Sequence, residues 1–106
     1  MNRMQGLTAR RRETRFERAS AAVARILDDA GKDGFEITVI GSLAKGDFRA
    51  HSDVDLLVRG PSDLHRRRSI ERLVADQMRA CEIPYDLVFE DDLTEDRLRE
   101  LLHDIV

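Results

Sequence analysis

Apolar side chains at Phe16, Ala19, Val23, Ile26, Leu27 and Ala30 recur at the three-and-four spacing that lines one face of a helix, and Gly31 with Gly34 ends the run. This predicts an amphipathic helix from Glu13. Residues 1 to about 11 are polar, carry no such stripe and are expected to be frayed and flexible. Phe35 to Ile40 reads as a β-strand rich in β-branched residues, closed by a Gly41-Ser42 turn. A short helix is expected from Ser42, broken at Gly46. Asp53 to Val58 is the second predicted strand, stopped by Arg59-Gly60-Pro61. Ser62 is placed to cap a helix on which Ile70, Leu73, Val74, Met78 and Cys81 share one face. After Pro84, Tyr85 to Glu90 forms a third strand, and Thr94 caps a last helix with Leu98, Leu101, Leu102 and Ile105 aligned. The resulting order, α-β-α-β-α-β-α, predicts an α/β (α+β) domain: a sheet of three to four strands with helices packed mainly on one face.

Length narrows the picture. With 106 residues the chain makes one domain, 1–106, with room for a core but not for a second lobe, so a partner is expected to complete any site. Charged residues at 37% against 42% apolar suit a globular chain rather than a disordered tail. No segment reaches the apolar length of a membrane span, and the Arg-rich start lacks the apolar stretch of a signal peptide, so no membrane and a cytoplasmic home are expected. The single cysteine, Cys81, forms no internal bridge, falls in line with apolar helix residues and reads as a buried thiol. A net charge of -3 argues against a general nucleic-acid binder. Residues 1 to 30 nevertheless hold seven Arg against four acids, a solvated helix face or a surface for RNA or an acidic partner.

The chemistry concentrates between Gly41 and Asp55. An Asp-x-Asp triplet alone is expected by chance in so Asp-rich a chain, but Gly41-Ser42, ten residues, then Asp53-Val54-Asp55 is a far rarer coincidence. Alternation along a strand puts Asp53 and Asp55 on the same side, about 7 Å apart at their Cα atoms, where both can reach one ion; Val54 and Leu56 then face the core. Magnesium takes oxygen ligands in near-octahedral geometry and shares substrate phosphates, so two carboxylates plus a triphosphate suffice to hold it. A two-metal displacement needs a further carboxylate near the attacking hydroxyl, and Asp86, in the apolar run Tyr85-Asp86-Leu87-Val88-Phe89, is the candidate. Gly41 lets the backbone approach a ligand, while the Ser42 hydroxyl and the amides of a helix start can hold phosphate oxygens. Lys45 and Arg49 are placed to neutralise a departing pyrophosphate or are ordinary solvated loop charges; neither spacing is diagnostic.

The full run Gly41-Ser42-Leu43-Ala44-Lys45-Gly46-Asp47-Phe48-Arg49-Ala50-His51-Ser52-Asp53-Val54-Asp55-Leu56-Leu57-Val58 closely resembles the signature of the minimal nucleotidyltransferases, a branch of the DNA polymerase beta superfamily. The resemblance covers Ile37 to Phe89 and is most specific at Gly41, Ser42, Gly46, Ser52, Asp53 and Asp55; Leu43 departs from the polar or basic residue of many relatives. It implies a mixed sheet and magnesium-dependent transfer of a nucleoside monophosphate, AMP from ATP before others, to a hydroxyl with release of pyrophosphate. It further implies Asp53, Asp55 and Asp86 as catalytic metal ligands for two Mg2+ ions, with Asp86 also helping to accept the hydroxyl proton. Gly41, Ser42, Lys45, Gly46, Arg49 and Ser52 stand as the nucleotide-binding set. Small stand-alone members commonly act as antitoxins that add AMP to a tyrosine of a HEPN-type ribonuclease toxin, so such a toxin is the implied partner, with nucleic acid reached only through it and a homo-oligomer open.

Several residues carry blander readings. Ser52 reads as a loop-ordering hydroxyl rather than a nucleophile, since no His-Asp arrangement accompanies it. His51 belongs on a loop surface, Arg66-Arg67-Arg68 on a solvated helix face, and Asp91-Asp92 at a helix start rather than on a metal. Two rival functions stand beside catalysis on a protein. One is a non-catalytic binding module that neutralises its partner by complex formation, which leaves two like charges on one strand face without a structural reason. The other is transfer to a small molecule or an RNA end, whose enzymes generally carry further domains.

Overall fold

The computed structural model describes the backbone of residues 3–103 and the side chains of residues 14–103. Helix α1 (Arg3–Lys32) is followed by strand β1 (Ile37–Ile40), the single-turn helix α2 (Gly41–Lys45), strand β2 (Val54–Val58), helix α3 (Leu64–Arg79), strand β3 (Tyr85–Phe89), a 3-10 turn (Glu90–Asp92) and helix α4 (Glu95–His103). The element order is the predicted one. The first helix starts at Arg3 rather than Glu13. Its early turns lack the apolar stripe, but four of residues 3–12 are Arg, and Met4, Gln5, Leu7 and Ala9 add further strong helix formers. At 30 residues, α1 has a length of about 45 Å and accounts for most of the 52 Å long axis of a molecule only 18 Å thick. Ile105, expected on the last helix, lies outside the described residues.

The sheet has three strands in the order β1-β2-β3; β1 runs antiparallel to β2, and β2 parallel to β3, a mixed sheet. Alternation sorts its side chains. Val54, Leu56 and Val58 of β2 join a core with Ala19, Ala22, Val23, Ile26 and Ala30 of α1 and Ile70, Val74 and Met78 of α3, so both long helices cover one face. Arg25 Nε donates to the Gln77 side-chain Oε1 at 2.9 Å and Gln77 Nε2 donates to the Asp29 carboxylate, tying α1 to α3 at their solvent edge. Cys81 lies just past α3, buried, its thiol donating to the Met78 carbonyl, the core role read from its position. Among the described residues, no helix is long and apolar enough to cross a membrane.

Two local expectations change. Asp63, not Ser62, caps α3: it is the residue immediately before the first helical turn, and its carboxylate accepts from the Arg66 amide at 2.8 Å, while Ser62, one residue earlier, donates its amide to Asp91 at 2.9 Å. Asp91 and Asp92 lie in the 3-10 turn that precedes α4, and their side chains reach back across the sheet end. Asp92 takes a bidentate pair from Arg67 at 2.7 and 2.8 Å, and the Arg67 guanidinium lies 4.5 Å from the Phe89 ring centroid. Arg66 similarly covers the Phe35 ring at 4.9 Å. Two of the three consecutive arginines are therefore packed on aromatic faces rather than simply solvated.

Candidate active site

The sheet face away from α1 and α3 carries the acids. Asp55 lies in β2 between Val54 and Leu56, both fully buried on the helix side, so its side chain emerges on the opposite face. In the parallel pairing of β2 and β3, Asp55 is the register partner of Asp86, which places both carboxylates on that face on neighbouring strands about 4.8 Å apart. Asp53, two residues before Asp55, follows the same alternation from just outside the strand. Burial first, then the negative charges of Asp86 and Asp53, push the Asp55 carboxyl above the ordinary carboxylate range.

Gly41 makes room for this group. It opens α2 with φ +71, and a Cβ built on it would fall on the Asp55 carboxylate, with Cγ only 3.2 Å away. Only glycine accommodates both the left-handed backbone and the neighbouring acid. Ser42 follows, half-buried in the first turn, and α2 ends at Gly46, whose left-handed conformation (φ 76) turns the chain after Lys45. The Gly-Ser turn thus abuts the carboxylate face as its spacing predicted.

The other candidates divide. Lys45 and Arg49 stand exposed on the loop side of α2, and the Arg49 guanidinium pairs with Asp47 at 3.2 Å. Ser52 orders its loop: its hydroxyl accepts from the Arg49 amide at 2.8 Å, while its own amide donates to the Arg49 carbonyl at 3.1 Å. His51 is exposed in that turn. Asp86 lies in an apolar run, where a buried and costly charge is the local reading, but β3 is the edge of the sheet and Asp86 is exposed; Asp55, on the central strand, is the acid that burial desolvates. Among the described residues, no group of three or more His, Cys, Asp or Glu already converges as a metal-holding cluster. The expected gathering of three acids around cations is therefore present as a shared face, not as a closed cage. An all-oxygen set of this kind suits magnesium, which takes one or two protein carboxylates and completes its shell with water and substrate phosphates. Asp55, partly desolvated and crowded by like charge, is the carboxylate that a cation would relieve. The residues fit a divalent ion arriving with its triphosphate.

Two contributors escaped the periodicity. Phe48, within the polar loop after α2, is buried in the core and anchors that loop; its isolation as one aromatic among polar residues was the available signal. Arg15 of α1 donates to the Ser52 carbonyl at 2.8 Å across 37 residues of chain and lies 5.9 Å from the Phe48 ring centroid. No local pattern marks it among the arginines of α1.

No match was found among curated proteins or among solved structures. The sequence profile described as "Nucleotidyltransferase domain" matches residues 21–104, spanning the core of α1, the whole sheet, the Gly-Ser turn and all three acids. The small α+β fold with its mixed three-stranded sheet is consistent with this match, and the chain belongs to the nucleotidyltransferase domain family.

Proposed function

We propose that the chain is a magnesium-dependent nucleotidyltransferase that moves AMP from ATP to a hydroxyl of a protein partner, a tyrosine of a HEPN-type ribonuclease toxin, and so acts as its antitoxin. The observation that carries this reading is the placement of Asp53, Asp55 and Asp86 on one sheet face against the Gly41-Ser42 turn. Asp53 and Asp55 would hold a divalent ion entering with the triphosphate, and Asp86 would contribute to a second; such ions, when bound, would supply neutralisation of the triphosphate charge. The Ser42 hydroxyl and the α2 amides hold phosphate oxygens, with Lys45 and Arg49 on the leaving-group side. The acceptor oxygen attacks the α-phosphorus, the bond from that phosphorus to the bridging oxygen breaks, pyrophosphate leaves, and Asp86 takes the hydroxyl proton.

A protein acceptor is favoured over a small molecule by the surface beside α2. An apolar groove of about 310 Å³ is lined by Phe16, Val23 and Leu27 of α1 with Val39 and Leu43, and it leaves Phe16 and Leu27 exposed. The carboxylate face lies open, and a bound protein can wall it. Incubation with α-labelled ATP, Mg2+ and the product of the adjacent reading frame should label that product. Asp53→Ala and Asp55→Ala should each reduce transfer by at least 100-fold, on the order of the loss seen when an essential electrostatic group is removed from an active site. Label transfer that persists in both variants rules out this metal site. Neutralisation of the toxin by a double-alanine variant at unchanged binding would support the complex-only alternative.

A further inference from the structure

We infer that Arg15, on α1, is a positioning residue for Asp53: it fixes the carboxylate's backbone by clamping the carbonyl immediately before it. The inference rests on the proposed metal role of Asp53 and extends it to a side chain far away in sequence. Asp53 precedes β2, so the sheet ladder does not hold it. Its backbone is nevertheless gripped on both sides. The Val54 amide donates to the Pro84 carbonyl at 3.0 Å, and the Ser52 carbonyl accepts from Arg15 Nη2 at 2.8 Å. Rotation of the peptide between Ser52 and Asp53 would swing the Asp53 side chain relative to Asp55, and the Arg15 bond opposes that rotation.

The clamp is built rather than incidental. The Ser52 end of the turn is itself closed by the reciprocal Arg49–Ser52 bonds, so its carbonyl has a defined direction. The guanidinium is seated over buried Phe48, the residue that roots the same loop in the core. Arg15 Nε is buried and finds no hydrogen-bond partner among the described residues, so the guanidinium is partly desolvated where Nη2 meets the Ser52 carbonyl and the Phe48 ring lies beneath it. A side chain placed for solubility alone would keep that nitrogen in water. The proposed device is an outer support for a metal ligand, acting on the main chain and bridging α1 to the site.

The test compares the wild-type chain with Arg15→Met, which keeps apolar cover over Phe48, and Arg15→Lys, which keeps a donor. Amide hydrogen exchange at Ser52 should quicken by about 10-fold in Arg15→Met and be largely restored in Arg15→Lys, with exchange in β2 unchanged. Mn2+ titration in the presence of a non-hydrolysable ATP analogue, read by calorimetry, should show about 10-fold weaker uptake in Arg15→Met and partial recovery in Arg15→Lys. In turnover, the loss should appear in the metal and nucleotide concentrations needed for half-saturation more than in kcat. Unchanged exchange at Ser52, or loosened exchange with Mn2+ uptake as tight as wild type, overturns the inference. Wild-type chain that takes up no Mn2+ with any nucleotide overturns the transfer reading instead, and the exchange data still decide whether Arg15 holds the loop.

Discussion

Asp55 is where structure and chemistry meet at the scale of a single residue. Its carboxyl is held above the ordinary range by burial and by the charges of Asp86 and Asp53, so the ionised form is disfavoured in the folded chain. The corresponding stability is fully present below the unfolded carboxylate pKa of about 3.9 and is lost as pH rises through the raised folded value. At neutral pH without divalent cations, Asp55→Asn should therefore melt higher than wild type; the gap should close below about pH 4 and narrow when Mg2+ and ATP are added. Thermal scans across pH read this directly, and a variant that melts lower than wild type at pH 7 would contradict it. Gly41 is the complementary case. Gly41→Ala forces a Cβ onto the Asp55 carboxylate at a left-handed backbone, and should lower unfolding stability by about 1–3 kcal/mol, seen as a reduced urea midpoint at unchanged slope. The same substitution should abolish the thermal shift produced by Mg2+ and ATP, since the displaced acid is the one that needs the ion.

At the scale of elements, the end of β3 is tied to the β2–α3 connection by three consecutive acids. Glu90 accepts from the Gly60 amide and pairs with Arg59, Asp91 accepts from Ser62, and Asp92 grips Arg67. These contacts hold β3 against β2 in the register that brings Asp86 beside Asp55. The Arg67 guanidinium holds the Asp92 carboxyl below its usual range, so the pair contributes stability above the unfolded carboxylate pKa and loses it as pH falls through the lowered value. Arg67→Ala should lower the melting temperature at pH 7, with the difference from wild type disappearing in acid, as thermal scans at descending pH would show. A gap independent of pH would assign the effect to packing on Phe89 alone. From local pattern Glu90 closes the third strand and Asp91-Asp92 start a helix, because a run of Asp after a strand has that local meaning. Their real partners lie 25 to 30 residues away, a distance at which chain periodicity carries no information.

For the molecule as a whole, the sheet leaves one face open at the acids, and an apolar groove lies between α1 and α2, lined by Phe16, Val23, Leu27, Val39 and Leu43. Phe16 and Leu27, 42% and 38% exposed, present the large side chains of that groove. Replacing both with Glu should prevent capture of the partner while leaving the melting temperature close to wild type and nucleotide-dependent Mn2+ uptake intact. Co-purification beside calorimetry separates those outcomes; partner capture at full strength by the doubly substituted chain would place docking elsewhere.

Apolar spacing, punctuated by Gly and Pro, determined the element order and the core-facing residues of α1, β2 and α3, because burial selects side chains by period and each period is local; Phe48, the core residue outside any period, was not marked by it. The Gly41-Ser42 and Asp53-x-Asp55 elements were legible for the same reason: a tight turn and alternating strand faces are properties of neighbouring residues. Pairing was not. That β3 joins β2 in parallel, that it is an edge and so leaves Asp86 in solvent, and that Asp55 carries the desolvation instead follow from tertiary packing. The same packing chose Arg15 from the arginines of α1 to reach Ser52, since which charge meets which carbonyl is decided only when a long helix settles on the sheet.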